Sequence, residues 1–286
     1  MPGSAGVVLA GGRSSRMGTP KAALEWHGST LLRRTVGIIA RVTDGPVVVV
    51  RARGQDLPAL PPGIEVVDDP RAGQGPVQGL AAGLAAVADR ADVAFVASTD
   101  LPFLHPAFVR RVLRAVRAGA DVGLPVARGH PQPLAASYRT ALAPAAERLV
   151  QAGRLRPAFL FDECVVSRLD EAALLADPVL AALDPDLDSV VNLNEPGEYR
   201  TARAKPAPEV TVQRLGALAA TPGPGGHRAP ETVRAATIAK AAAAVGLEFG
   251  GPVTAALNGD QITSDGQTPL ATGDTVLFLP AGAGGC

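Results

Sequence analysis

The sequence predicts an α/β protein with a mostly parallel sheet, followed by a small α+β unit. Up to about residue 200, short β-branched runs alternate with longer amphipathic stretches, the pattern of strand–helix–strand units. The strand-like runs are continuously apolar, as strands covered on both faces are. Near residue 205 the texture changes to "RAKPAPE", a proline-rich polar connector of the kind that separates domains. At 286 residues the chain is long enough for one large and one small domain. The boundaries expected are 1–204, a linker at 205–208, and 209–286.

In chain order the predicted strands of the large unit are "GVVL" (6–9), "VVVV" (47–50), "IEVV" (64–67), "VAFVAS" (93–98) and "DVGLPVA" (121–127). Helical patterns fall near 29–42, 76–89 and 106–118. The last is the clearest: Pro106 suits a first helical position, Phe108, Val109, Val112, Leu113 and Val116 share one face, and Gly119 is a stop signal. In the small unit a strand "EVTVQRL" precedes a loop "TPGPGG" and an alanine-rich helix from about 230 to 246. Strands "PVTAALNG" and "TVLFLP" follow, and the chain ends "AGAGGC". No internal repeat is present.

Net charge is zero and the basic residues do not form one block, so the electrostatic footprint of a nucleic-acid binder is missing and an anionic partner needs a local site. Cys164 and Cys286 are too few for a disulfide framework or zinc site, which predicts a reducing compartment, by default the cytoplasm. "AGVVLAGG" is broken by glycine too soon for a signal sequence, and no uncharged apolar run is long enough to span a membrane.

"LAGGRSSRMGTPK" directly follows the first strand, at the strand end where open parallel sheets collect ligands. Gly11 and Gly12 would allow close approach of the backbone to a nucleotide, and Arg13, Arg16 and Lys21 could neutralise a triphosphate. Lys21 stands out because the 27 basic residues include only two other lysines, Lys205 and Lys240. No Gly-Lys-Ser/Thr closes the loop, so it is not a P-loop, nor is it G-x-G-x-x-G. An ordinary solvated turn is the competing reading. "GQGPVQG" (73–79) has dinucleotide-like glycine spacing, but Pro76 removes a donor. Asp69 and Asp100 follow the third and fourth strands; either alone reads as a cap or turn residue, whereas both beside a cationic loop point to one crevice suited to magnesium and phosphates. His27, His105, His130 and His227 lack ligand spacing, Cys164 reads as a small buried apolar residue, and "DPDLD" (184–188) as a solvated loop.

Taken together, "LAGGRSSRMGTPKAAL", "GQGPVQGL", "STDLPFL", "HPQPLAASYR" and "NLNEPGEY" resemble the molybdenum cofactor guanylyltransferases, within the sugar-nucleotide-type nucleotidyltransferases, over about residues 5–204. The resemblance implies a Rossmann-like domain that condenses GTP with molybdopterin and releases pyrophosphate, with Mg2+ as cofactor. It assigns Leu9, Ala10, Gly11 and Gly12 to guanine and ribose through the backbone, Arg13 and Lys21 to the phosphates and catalysis, Asp69 to the nucleotide, and Asp100 to the metal and catalysis. Gly75, Pro76 and Gly79, with Asn192 and Asn194, are assigned to the pterin side. The chain departs from the pattern at Arg51, where the family often has asparagine. A cytidylyl- or other nucleotidyltransferase of the same fold is the alternative within this class, and a catalytically inactive carrier or scaffold is the alternative outside it.

Residues 209–286 resemble the ubiquitin-like β-grasp sulfur carriers, of the MoaD and ThiS type, through "EVTVQRLGALA", "LNGDQI", "LATGDTVLFLP" and the diglycine Gly284–Gly285. That resemblance implies a tail thiocarboxylate, with the large subunit of molybdopterin synthase, an adenylating and sulfurating enzyme and a tail-trimming protease as partners. Cys286 departs from it, because it locks the Gly285 carboxylate in a peptide bond.

Overall fold

The computed structural model describes residues 3–11, 20–71, 75–220, 229–259 and 261–281. The chain forms two compact units: Met1–Leu24 with Thr30–Tyr199, and Glu25–Ser29 with Arg200–Cys286. Up to residue 204 the elements are β1 (Ser4–Leu9), a short ribbon of β2 (Glu25–Trp26) and β3 (Ser29–Thr30), α1 (Leu31–Ala40), β4 (Val47–Ala52), β5 (Glu65–Asp69), α2 (Pro76–Val87), β6 (Val93–Ser98) and α3 (Pro106–Arg117). They continue with β7 (Val122–Ala127), β8 (His130–Pro131), β9 (Ala135–Arg139), α4 (Ala143–Gln151), α5 (Ala158–Phe161), β10 (Val166–Leu169), α6 (Glu171–Leu175), α7 (Pro178–Leu183) and α8 (Pro196–Ala204).

The large sheet runs β10-β7-β9-β6-β1-β4-β5, with β8 alongside β7. Its pairings are parallel except those of β9 to β6 and β7, and of β8 to β7. The chain leaves β1 in one direction to β4 and β5, then returns to β6 on the other side, so the strand order reverses at β1. In such sheets the crevice at that reversal, beyond the carboxyl ends, is the ligand position. Two glycine contacts fix the layers. A Cβ on Gly6 would lie 2.4 Å from Ile39 of α1, and one on Gly83 of α2 would lie 2.3 Å from Val7. Because Gly6 and Val7 face opposite sides of one strand, α1 and α2 cover opposite faces of the sheet.

The expected strands over 6–9, 47–50, 93–98 and 121–127 all appear, and β1 is buried along its whole length. The strand expected at 64–67 lies at 65–69 and is only partly covered: Val67 packs against the core, whereas Glu65, Val66 and Asp68 are exposed on this edge strand. His105 caps α3, accepting from Ala107 N–H at 3.1 Å, with Pro106 next as anticipated. "DPDLD" is not a solvated loop. Asp184 and Leu187 are buried, and the Asp184 carboxylate accepts from Asp188 N–H (2.7 Å) and Ser189 N–H (3.2 Å), so it organises the turn ahead of the 3-10 segment Asp188–Val190. Cys164, expected to be buried, is only partly so, packed against the margin of the core; burial, with Asp121 and Glu163 nearby, pushes its thiol up to about 11.

The second unit contains a five-stranded sheet, formed by β11 (Glu209–Arg214), β12 (Glu231–Arg234), β13 (Val253–Leu257), β14 (Gln261–Thr263) and β15 (Thr275–Pro280), in the order β12-β11-β15-β13-β14. β11 and β15 are parallel and the other pairs antiparallel. Helix α9 (Ile238–Ala244) places Ile238, Ala241 and Ala242 against Val210, Val212, Val276 and Phe278. The helix expected over 230–246 is therefore two elements. "ETVR" alternates like a strand and pairs with β11, and the helix waits for Thr237, whose hydroxyl accepts from Lys240 N–H at 3.3 Å. The loop "TPGPGG" lies outside the described residues.

Candidate active site

At the carboxyl end of β6, three side chains from distant parts of the sequence converge. Lys21, in a 3-10 turn over Lys21–Ala23, donates from Nζ to Asp100 Oδ2 at 2.8 Å and to Asn194 Oδ1 at 3.1 Å. The other carboxylate oxygen of Asp100 accepts from the Ser98 hydroxyl. Leu193 N–H donates to the Asp100 carbonyl at 3.1 Å, which ties the "NLNE" segment to this strand end. Glu198 holds the next residues by accepting from Asn194 N–H (2.6 Å) and Glu195 N–H (3.1 Å). The Lys21 and Asp100 side chains are 20% and 16% exposed, shielded enough for the pair to be stronger than a surface one and still open to a ligand. Asn192 is exposed, two residues earlier.

The ends of β1 and β4 are organised differently. Ala10 N–H and Gly11 N–H both point to Val50 O, at 2.8 and 3.3 Å. Ala10 C=O accepts from the Gln55 amide at 3.0 Å, and the oxygen of that amide accepts from Ala52 N–H at 3.0 Å. Both main-chain groups of Ala10 are thus engaged inside the unit. Gly11 is exposed, and a Cβ there would come within 3.3 Å of Ala52 N. Arg51 pairs with Asp68 at 2.7 Å and donates to Gln55 C=O at 3.0 Å, so it braces the turn that carries Gln55.

Asp69 is the last residue of β5, opposite Ala52, and its carboxylate accepts from Arg71 N–H at 2.9 Å. β5 lies three positions from β6, roughly 14 Å at about 4.8 Å per strand. Asp69 and Asp100 therefore mark two ends of a crevice and are too far apart to share one ion.

On the covering side, Gly75 precedes α2 with φ 77°, and Pro76 takes the first helical position. A Cβ on Gly79 would lie 3.3 Å from Leu9, so Gly79 and Gly83, one turn apart, form the face on which α2 meets β1. The glycine spacing of "GQGPVQG" thus includes a close helix–strand contact. Gln78, just before Gly79, is 1% exposed, and neither its Nε2 nor its Oε1 has a hydrogen-bond partner among the described residues.

Sequence reasoning singled out Lys21, Asp100 and Asn194, and the structure brings them together; it missed Ser98, Gln55 and Gln78. The serine that ends "VAFVAS" was a readable signal, being two residues from a candidate carboxylate. Gly12, Arg13, Arg16, His227, Gly284, Gly285 and Cys286 lie outside the described residues. Among the described residues no group of three or more His, Cys, Asp and Glu gathers to hold a metal. The oxygens of Asp100 and Asn194 suit a hard cation that takes its other ligands from water and phosphate. No helix among the described residues is long and apolar enough to cross a membrane.

A family model described as "MobA-like NTP transferase domain" matches residues 6–168. A Mycobacterium tuberculosis protein named "Probable molybdenum cofactor guanylyltransferase" is 42% identical over 162 residues, covering 55% of this chain and 79% of the relative. A Mycobacterium ulcerans protein of the same name is 39% identical over 184 residues, covering 62% and 90%. The crystal structure of a molybdopterin-guanine dinucleotide biosynthesis protein A from Archaeoglobus fulgidus shares the fold, with TM-score 0.54 at 21% identity over 70% of this chain and 96% of that one.

Proposed function

The chain belongs to the family of MobA-like NTP transferases and is a nucleotidyltransferase, and from that premise we propose that it transfers GMP from GTP to molybdopterin, yielding the guanine dinucleotide cofactor and pyrophosphate. The observation that carries this reading is the convergence of Lys21, Asp100 and Asn194 beside the strand-order reversal at β1. The names of the mycobacterial relatives support the choice of substrates.

In this reading the terminal phosphate of molybdopterin attacks the α-phosphorus of GTP in line, and pyrophosphate leaves. No protein nucleophile is required, because positioning and electrostatic stabilisation supply the acceleration in phosphoryl and nucleotidyl transfer. Lys21 swings from Asp100 towards the triphosphate and neutralises charge there, while Asn194 and the segment around Asn192 orient the acceptor. Asp69 and the Leu9–Gly11 segment line the nucleotide side, and Gly75, Pro76 and Gly79 the pterin side. Asp100 would hold magnesium, which supplies Lewis-acid stabilisation of the triphosphate when bound.

The small unit is read as a β-grasp carrier at 209–286, joined through 205–208 to the catalytic domain at 1–204, in a cytoplasmic protein. The parallel pairing of its first and last strands, flanked by antiparallel ones under a single helix, supports that reading. Intact-mass measurement on protein from its native cell tests the tail. A species ending at Gly285 with oxygen replaced by sulfur is expected, and uniform retention of Cys286 would reduce the unit to docking.

The test of the main reading is incubation with molybdopterin, magnesium and each NTP in turn, with the dinucleotide identified by mass. A guanine dinucleotide is expected. A cytosine product would overturn the base assignment, and no product from any NTP would leave the carrier or scaffold reading.

A further inference from the structure

Among the described residues, Gln78 is a buried side chain with neither of its polar atoms paired. Its amide is 1% exposed in the first turn of α2, and both Nε2 and Oε1 lack a hydrogen-bond partner among the described residues. Buried polar groups in folded proteins are nearly always paired, and one that is not calls for an explanation. Packing alone would be served better by leucine at this position. The residue stands where ligands collect: the next one, Gly79, lies against Leu9 at the carboxyl end of β1.

We propose that the Gln78 amide is a specificity-determining contact to a heterocycle edge that presents a hydrogen-bond donor beside an acceptor. A phosphate would satisfy Nε2 and set negative charge against Oε1, and a cation would do the reverse. Only a ligand with an N–H next to a lone pair satisfies both atoms at once. Resting on the proposed reaction, the edge is the 2-amino-4-oxopyrimidine ring that guanine and pterin share, in which a ring N–H sits beside a carbonyl oxygen. The amide is covered in this structure, so the edge reaches it through a rearrangement of the first turn of α2, next to Gly75, whose φ of 77° gives a left-handed joint ahead of the helix.

The experiment uses the full chain and its Gln78→Leu and Gln78→Met variants, the unbranched methionine being the alternative if leucine does not fit. Melting temperature is measured without ligand, and dissociation constants by titration calorimetry for GTP, ATP and a phosphate-free 6-alkylpterin. The variants are expected to melt at or above the wild-type temperature, since an unpaired polar group has been removed. Affinity is expected to fall about tenfold or more, because a site built to hydrogen-bond rejects a partner it can no longer pair. Loss confined to GTP assigns the contact to guanine, and loss confined to the pterin assigns it to the acceptor. Unchanged affinity for both, or an equal loss for ATP and GTP, overturns the proposal. Wild-type protein that binds neither GTP nor the pterin overturns the functional reading, and this inference with it.

Discussion

Two strand ends carry a candidate carboxylate, and they have been put to different uses. Asp100 follows the interior strand β6, where the ends of the neighbouring segments crowd in: Ser98 and Lys21 each take one of its oxygens, and Asn194 joins through Lys21. Asp69 ends the edge strand β5, where the one hydrogen-bond partner of its side chain among the described residues is the N–H of Arg71, two residues on. The same residue type at an equivalent point of a strand becomes part of a polyvalent cluster in one case and a local turn cap in the other. What differs is the number of neighbouring segments that converge on that part of the sheet.

Substitutions can break this contrast in graded steps. Asp100→Asn is expected to lower kcat by about 100-fold or more while leaving circular dichroism unchanged, since a charge that positions the reacting groups is lost; comparable activity in steady-state assays would remove Asp100 from the chemistry. Lys21→Ala should reduce kcat/KM for GTP by tens of fold, roughly 2 kcal/mol of charge-assisted bonding, with little change in guanosine binding; equal losses for GTP and guanosine would make the lysine a support for its loop. For Asp69→Asn, the expected rise in the KM for GTP is about threefold, within the range of a single exposed polar contact, and a loss as large as that of Asp100→Asn would erase the distinction drawn above. Smallest of all, Asp68→Asn should alter stability by less than about 1 kcal/mol in denaturant unfolding, because the Arg51–Asp68 pair is 32% and 45% exposed.

The parallel strands were legible because burial on both faces leaves a run of apolar residues with no period to confuse, and 93–98 matches to the residue. β9 was not, since "AASYR" has a single large strand-favouring residue, Tyr138, and its pairing is set by β6 and β7 on either side. The small unit hid β12 because four residues of alternation ran into an alanine-rich helix. At the site, Lys21 was visible as a rare lysine and Asp100 as a carboxylate after a strand, whereas Asn194 came only through family resemblance. Gln55 and Gln78 had no pattern to betray them. A side-chain amide gains its meaning from the backbone groups that surround it, and these are known only once the chain has folded.

The paired glycine contacts on β1 also bear on how this protein can change by descent. Gly6 stands against α1 and Gly83 against α2, each with room for a hydrogen and not for a methyl. A replacement at either position must push a helix away from the central strand β1, so drift at one is tolerable only with a matching change of bulk at Ile39 or Val7. Divergence in this lineage is therefore channelled: the loops beyond the strand ends can vary singly, while the clamp around β1 can change only through coupled pairs. That asymmetry would let substrate preference wander on a scaffold whose central spacing stays put.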